Sequence, residues 1–190
     1  LDPMVERRIA DYARQTLDLA EGYVQLARAE SQPYRSELLD LGQIAMDAAD
    51  ILWPQASKKG VRILTPDGDE EFLVQGDPAL LRRLTTNLLD NALKYGPAGG
   101  AIQVSLTGAE EDGRPVCILS VSDQGPDLSE EAARRLFQPF GHGGADHRGA
   151  GLGLAFVRTV AERHGGTIRH QPGSPGATFI LTLPRITEEE

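Results

Sequence analysis

The stretch GDPALLRRLTTNLLDNALKYGP, residues 76–97, places the strongest constraint on the fold of this 190-residue chain. Asp77 is typical of a helix N-cap, and Pro78 suits the first helical position because its missing N–H needs no partner there. Gly96 and Pro97 end the pattern. Between these signals, apolar residues recur at helical spacing: Leu80, Leu81, Leu84, Leu88 and Ala92. The stretch therefore predicts an amphipathic helix with one buried face.

Helical and strand patterns alternate along the chain after residue 34. Asp40 and Gln43 have the spacing of a capping box before a helix that ends near Gly60. The predicted buried face of that helix is Leu41, Ile44, Ala45, Ala48, Ile51 and Leu52. Strands are predicted at VRIL, FLV, IQVSLT, PVCILSVSD, TIRH and TFILTL, with EEDG as a hairpin turn. A short helix capped by Ser129 and a longer one ending at His164 complete the set.

The first 31 residues carry a different pattern. Apolar and aromatic residues, with one threonine, follow each other in alternating steps of four and three: Val5, Ile9, Tyr12, Thr16, Leu19, Tyr23 and Leu26. This heptad repeat with its narrow apolar stripe predicts a helix that pairs with a partner helix, and Pro33 ends it. The alternative is an amphipathic helix that folds onto its own domain.

Charge and composition exclude several classes of protein. The net charge of −9 argues against general nucleic-acid binding, so any phosphate ligand must be held by local features. No apolar run reaches the roughly 20 residues of a membrane helix, and no signal peptide is visible. The single cysteine, Cys117, lies in an apolar strand pattern and indicates a buried thiol in a reducing compartment. Because the chain opens on Leu1, we expect it to be a piece of a longer protein.

The stretch GAGLGLAFV, residues 149–157, has glycine at every second position, at Gly149, Gly151 and Gly153. A dinucleotide-binding fingerprint needs a strand directly before the first glycine, but a loop pattern precedes it here. A P-loop needs Gly-Lys-Ser/Thr, but Leu154 follows Gly153. Two interpretations remain: backbone N–H groups at a helix N-terminus that bind phosphate, or a glycine hinge without a ligand.

Polar residues at two other places are candidates for the same site. Asn87, Asn91 and Lys94 share one face of the predicted helix, where amide oxygens can ligate Mg²⁺ and the ammonium can neutralise phosphate. Asp123, with Gly125 two residues on, can accept a hydrogen bond from an exocyclic amine such as the adenine N6. The alternatives are a solvated helix face and an aspartate that only forms a turn.

The motifs NLLDNALKY, DQGPD, FQPF and GAGLGLAFV, in this order and spacing, resemble the N, G1, F and G2 boxes of the catalytic ATP-binding domain of sensor histidine kinases. The resemblance implies an α+β fold of the Bergerat type, a two-layer α/β sandwich preceded by a long N-terminal helix. In that fold a mixed, mostly antiparallel sheet is covered on one face by helices. The resemblance implies a catalytic domain at 34–186 with a lid at 124–150, and residues 1–33 resemble the second helix of the family's dimerisation domain.

The resemblance implies that the chain takes ATP and Mg²⁺. Asn91 is similar to the family's Mg²⁺ ligand, and Asn87 is a second candidate for that role. Lys94 is similar to a phosphate contact, and Tyr95 is similar to a residue whose ring lies against the adenine. These four residues belong to the N box.

The other three boxes supply the base-reading carboxylate and the lid. Asp123 is similar to the carboxylate that binds the adenine N6, and Gly125 leaves room beside it. The positions that resemble the anchors of the lid, its hinge and the phosphate cradle are Phe137, Phe140, Gly149, Gly151, Leu152 and Gly153.

Two features depart from the family pattern. Asp127 stands where the G1 box usually has its second glycine, and a carboxylate there could restrict the lid or repel phosphate. None of the histidines lies in the sequence context of an H box: His142, His147, His164 and His170. We therefore expect the phosphoacceptor histidine to lie outside this chain, which would then contain no catalytic residue and would not autophosphorylate alone.

The function implied is that of a protein-histidine kinase domain that donates the γ-phosphoryl of Mg·ATP to a histidine on the absent dimerisation helix. The partners implied are that helix, a response-regulator receiver domain and a second copy bound through residues 1–31, with no nucleic acid. The location implied is the cytoplasm, with any membrane attachment through upstream segments. Two alternatives remain: a serine kinase of the same superfamily that regulates sigma factors, and a non-catalytic, nucleotide-gated interaction module.

Overall fold

A computed structural model describes residues 2–141, 151–173 and 176–187. In these ranges the helices are α1 (Pro3–Ser31), α2 (Leu41–Lys59), α3 (Pro78–Tyr95), α4 (Glu130–Arg135) and α5 (Gly153–Arg163). The strands are β1 (Glu37–Asp40), β2 (Arg62–Leu64), β3 (Leu73–Gly76), β4 (Ala101–Glu111), β5 (Arg114–Ser122), β6 (Thr167–Pro172) and β7 (Ala177–Pro184).

The main sheet has five strands in the order β2-β4-β5-β7-β6. The β2–β4 pair is parallel and the other three pairs are antiparallel. Asp112 and Gly113, both at positive φ, join β4 to β5 as a two-residue hairpin requires. Every second side chain of β5 is completely buried toward the helices, at Cys117, Leu119 and Val121. The predicted sandwich with a mixed, mostly antiparallel sheet is therefore confirmed.

Helix α3 forms as its sequence predicts. The Asp77 carboxylate accepts hydrogen bonds from the N–H groups of Ala79 (2.9 Å) and Leu80 (3.0 Å). Leu81, Leu84, Leu88 and Ala92 are buried in the core, while Leu80 is only half-buried at its edge. Because this apolar stripe faces the core, the opposite side of α3, with its polar residues, faces the surface.

Helix α2 departs from its prediction in two details. Asp40 caps it by accepting from the Gly42 N–H at 3.0 Å, but the Gln43 amide donates to Asp47 and does not close the capping box. Ile51, predicted to be buried, is 54% exposed, so that part of the prediction is wrong. The residues before α2 also form a strand that was not predicted, β1, which pairs with β3 in a separate two-stranded sheet.

Helix α1 contacts the rest of the chain only near its C-terminal end. Leu26 and Ala29 are its buried residues, and α1 packs there against α5. The earlier heptad positions are exposed, as shown by Ile9 (57%) and Tyr23 (63%). The C-terminal end thus folds onto its own domain, while pairing of the exposed stretch with a partner helix stays a prediction. No described helix has both the length and the apolar character that a membrane crossing requires.

Candidate nucleotide site

Three segments that are distant in sequence meet at one edge of the sandwich. The Asn87 amide, halfway along α3, donates to the carbonyl of Gly153 at the start of α5 over 3.3 Å. The N–H of Phe140 donates to the carbonyl of Gly151 at 3.0 Å, which joins the described residues on the two sides of the segment 142–150. The fold therefore brings parts of the N, F and G2 boxes together, as the sequence predicts.

The loop after β5 lies against the C-terminal end of α3. Asp123 is 5% exposed, and its Oδ1 atom accepts a hydrogen bond from the Gly125 N–H at 2.7 Å. A Cβ atom on residue 125 would overlap the carbonyl oxygen of Tyr95, so only glycine allows this approach. Burial raises the pKa of the Asp123 carboxyl, and the bond from Gly125 opposes that shift. The loop thus holds one buried carboxylate in a fixed orientation beside α3.

Two residues outside the predicted set hold the end of α3 in this position. The Lys59 ammonium, at the end of α2, donates to the carbonyl oxygens of Leu93 and of Gly96, the latter at 2.7 Å. A Cβ on Gly96 would lie 2.7 Å from the carbonyl oxygen of Ala92 and 3.6 Å from the Cβ of Asp123. The local sequence pattern around Lys59 does not indicate which carbonyl groups its ammonium reaches, because those groups belong to a distant helix end.

The polar face of α3 contains an ion pair that the predicted site did not include. The Lys94 ammonium lies 2.7 Å from the carboxylate of Asp90, one helical turn earlier. Asn91 and Asn87 are half-buried on the same helix. A phosphate group that approached Lys94 would therefore compete with Asp90 for the ammonium. Roles for Lys94 in phosphate binding and for Asn91 in Mg²⁺ binding stay predictions.

The two predicted lid anchors differ in how they are attached. The Phe137 ring packs edge-on against Phe179 in the core, with 6.2 Å between centroids. Phe140 is 55% exposed at φ 58°, and its attachment is the backbone bond to Gly151. Phe137 is therefore attached to the core by its side chain, whereas Phe140 is attached by its backbone; their role as lid anchors stays a prediction.

Helix α5 begins at Gly153, the last glycine of the stretch GAGLGLAFV. Gly151 has φ 67°, a conformation that favours glycine. Leu152 is 2% exposed, and its Cδ1 would lie 3.1 Å from a Cβ on Gly22 of α1. Leu152 therefore faces α1 with its side chain, so that only its backbone is available to a nucleotide. Gly149, with His142 and His147, lies outside the described residues.

Two further residues support the Asp123 loop and were not predicted. The Gln124 side chain accepts a hydrogen bond from the N–H of Ala101, the first residue of β4, at 3.0 Å. A Cβ on Gly176 would overlap the carbonyl oxygen of Asp123, so this glycine allows β7 to begin against the loop. Both contacts join segments that are far apart in sequence, and a local pattern could not have indicated them.

Of the two histidines within the described ranges, His164 is buried and His170 is half-buried. His164 is 8% exposed; its Nε2 accepts from the Asp77 N–H at 3.0 Å and its Nδ1 donates to the Val160 carbonyl at 2.7 Å. The Nε2 atom of His170 is buried. Among residues 2–141, 151–173 and 176–187 there is also no cluster of three or more His, Cys, Asp or Glu residues suited to a metal ion.

Comparison with known proteins agrees with this geometry. Residues 76–187 match the family described as histidine kinase-, DNA gyrase B-, and HSP90-like ATPase. The swarming motility regulation sensor protein RssA of Serratia marcescens is 36% identical over 181 residues, which is 93% of this chain and 36% of RssA. The sensor protein CutS of Streptomyces coelicolor is 37% identical over 173 residues, or 87% of this chain and 40% of CutS. The chain thus spans between a third and two fifths of these relatives.

A solved structure of full-length ShkA in complex with AMPPNP superposes with a TM-score of 0.72 at 26% identity. That superposition covers 97% of this chain and 40% of ShkA. Fold and comparisons together define an ATP-binding catalytic domain of the histidine-kinase type. The chain belongs to the family of histidine kinase-, DNA gyrase B- and HSP90-like ATPases, and its relatives are sensor kinases. The comparisons do not favour either alternative, the sigma-factor-regulating serine kinase or the non-catalytic module.

Proposed function

We propose that this chain is the part of a sensor histidine kinase that binds Mg·ATP and donates its γ-phosphoryl group. The observation that carries the proposal is the Asp123 carboxylate, buried and oriented by the Gly125 N–H at 2.7 Å. A fixed carboxylate suits recognition of an exocyclic amine, because leaving such a buried acceptor without its partner is costly. The adenine N6 would occupy this place, and the ring of Tyr95 would lie against the base.

The phosphates would extend from the base toward the start of α5. The first N–H groups of a helix lack partners within it and attract anions, and the α5 N-cap, Leu152, supplies no capping side chain. Asn87 and Asn91 lie on the facing side of α3, with Asn87 in contact with Gly153. Asn91 would be the protein ligand of Mg²⁺, which neutralises charge on the transferring phosphoryl group when bound.

The acceptor of the phosphoryl group would be a histidine on another helix. Both ring nitrogens of His164 are hydrogen-bonded, so His164 is not available to an incoming phosphate. His170 does not lie in the sequence context of an H box. The exposed heptad face of α1 supports an assembly with a second copy and with the helix that carries that histidine. A response-regulator receiver domain would take the phosphoryl group next, and the chain would act in the cytoplasm.

Two measurements test this function. Isothermal titration of the 190-residue chain with a non-hydrolysable ATP analogue should give binding that weakens when Mg²⁺ is removed with EDTA. Asn91→Ala should reduce the Mg²⁺ dependence, while Asn87→Ala should affect it less. Incubation of the chain alone with γ-labelled ATP should leave no acid-labile label on histidine. Stable labelling of the isolated chain would refute the proposal. Titrations that show no heat of binding at any concentration of the ATP analogue would also refute it.

A further inference from the structure

Two adjacent arginines of α3, Arg82 and Arg83, lie in different surroundings. The guanidinium of Arg82 is beside α2, 3.7 Å from the carboxylate of Asp47. The guanidinium of Arg83 lies over the ring of Phe156 in α5, 5.6 Å from the ring centroid. Neighbouring residues of a helix point about 100° apart, which accounts for the difference. Of the two arginines, it is therefore Arg83 that lies on the side of α3 facing α5 and the candidate nucleotide site.

The direction of α5 relative to α3 determines where Arg83 lies in that site. The two helices are antiparallel, because the start of α3 is hydrogen-bonded to the end of α5 and the middle of α3 to the start of α5. The second of these bonds joins Asn87 to Gly153. Arg83 precedes Asn87 by about one helical turn and contacts α5 one turn after its start. The Asp123 loop lies at the other end of α3, so Arg83 is on the far side of Asn87 from the proposed place of the base.

Arg83 extends the series of polar residues on this face of α3. The polar row of α3 has steps of four, four and three residues, at Arg83, Asn87, Asn91 and Lys94. In the proposed function the base lies at the end of this row near Tyr95, and the phosphates extend toward the start of α5. A nucleotide bound in that orientation directs its terminal phosphate toward the Arg83 end of the polar row.

The two cations of the polar row differ in how their charge is compensated. The ammonium of Lys94 lies 2.7 Å from the carboxylate of Asp90. Arg83 is exposed and forms no ion pair within the part of the chain that the structure describes. The Phe156 ring beneath it holds the planar guanidinium by stacking, which leaves the N–H groups at its edge able to donate. An arginine in this state suits bidentate binding of a phosphate group.

We propose that Arg83 binds the γ-phosphate of the nucleotide and so favours a triphosphate over a diphosphate. This inference rests on the proposed function, from which it takes the orientation of the base and the phosphates. A cation at this end of the polar row also neutralises charge on the phosphoryl group that is transferred. A diphosphate ends before Arg83, so the charge of this residue contributes little to its binding.

Calorimetric titrations of Mg·AMPPNP and Mg·ADP into the 190-residue chain, Arg83→Met and Arg82→Met test the inference. Methionine has no charge but keeps an unbranched apolar side chain, so Phe156 stays covered. Arg82→Met is the matched control, because it removes the same charge one residue away, on the side of Asp47. Mg·ADP is the control for the pocket itself, since it has the same base and the first two phosphates.

We expect Arg83→Met to lose about tenfold in affinity for Mg·AMPPNP and less than about twofold for Mg·ADP. Arg82→Met should bind both nucleotides as the wild type does. In Arg83→Met, equal losses for the two nucleotides or unchanged affinity for both would overturn the inference, and so would the same selective loss in Arg82→Met. Failure of the wild type to bind either nucleotide would instead refute the proposed function, and this inference with it.

Discussion

The Nε2 atom of His164 accepts a hydrogen bond from the backbone N–H of Asp77 at 3.0 Å, which joins the end of α5 to the start of α3. The Tyr34 ring stacks on this imidazole with 4.9 Å between centroids, and its hydroxyl donates to the Arg163 carbonyl at 3.0 Å. The Arg163 guanidinium in turn donates to the carbonyl of Ala29 in α1. Tyr34, in the segment that follows α1, thus packs on the contact between His164 and Asp77 that holds α5 and α3 together.

Stability of the fold should fall as the pH falls, partly because of His164. Its burial lowers its pKa below the ordinary value of 6.5. The unfolded chain therefore takes up the proton first, so the stabilising contribution is complete above pH 6.5 and is lost as the pH falls through the lower, folded pKa. Urea unfolding of the wild type at about pH 7.5 and about pH 5.5 should show the loss.

The variant His164→Gln isolates this contribution from other titrating groups. It should reduce the free energy of unfolding by roughly 2–3 kcal/mol near pH 7.5, because a buried ring with two hydrogen bonds is removed. It should also show a smaller loss between the two pH values than the wild type. His170, whose pKa shifts in the same direction, is present in both proteins and cancels. An identical pH dependence would mean that the pKa of His164 is the same in the folded and the unfolded chain.

The variant Gly125→Ala should disrupt the Asp123 loop. The added Cβ would overlap the carbonyl oxygen of Tyr95, a backbone atom that cannot move without shifting the end of α3. We expect at least a tenfold loss of ATP affinity by calorimetry, on the order of one misplaced buried hydrogen bond. Circular dichroism and urea unfolding of Gly125→Ala check that the rest of the fold is retained. Unchanged affinity in Gly125→Ala would show that the loop does not contact nucleotide.

The variant Gly22→Leu should loosen α1 from the start of α5. A Cβ on residue 22 would lie 3.1 Å from the Leu152 Cδ1, so a larger side chain must push the helices apart. Amide hydrogen exchange over residues 24–31 should become faster, by about tenfold for a cost of roughly 1–3 kcal/mol. Ala13→Leu adds similar bulk at an exposed position of the same helix and should leave these rates unchanged. Equal exchange in both variants would contradict the close contact.

The thiol of Cys117 should be unreactive in the folded chain. It is completely buried, and burial raises its pKa to about 11, so little thiolate is present near neutral pH. Iodoacetamide should modify the protein at least about a hundredfold faster in urea than in buffer. The result is unambiguous because the chain has a single cysteine. Rapid labelling without denaturant would show that the β5 core opens easily.

Local sequence signals predicted correctly those elements whose structure depends only on residues close together in the chain. The caps of α3, its buried stripe from Leu81 to Ala92 and the hairpin at Asp112 depend on residues close together in the sequence, and each of them forms as predicted. Strand β1 was not predicted, because the sequence ELLD is short and is equally compatible with a loop that leads into a helix. It is a strand because its partner β3, more than thirty residues away, supplies the hydrogen bonds.

The sequence motifs of the candidate site could be predicted, but the contacts from other elements that hold its residues in place could not. The boxes identify Asn87, Asp123 and Gly153 because those residues stand at recognisable spacings. The contacts of Lys59 with the end of α3 depend on the packing of distant elements. The ion pair between Asp90 and Lys94 follows from helical geometry and could have been predicted from their spacing.

Calorimetric titration of Mg·ATP and Mg·GTP into the wild-type chain and into Asp123→Asn tests the central claim most directly. We expect the wild type to bind ATP in preference to GTP, since guanine has no amine where the Asp123 carboxylate would accept one. Asp123→Asn should lose at least about tenfold in ATP affinity, while the distant Asp112→Asn should bind as the wild type does. Equal ATP affinity in Asp123→Asn and the wild type, or a preference for GTP, would contradict the assignment of this pocket.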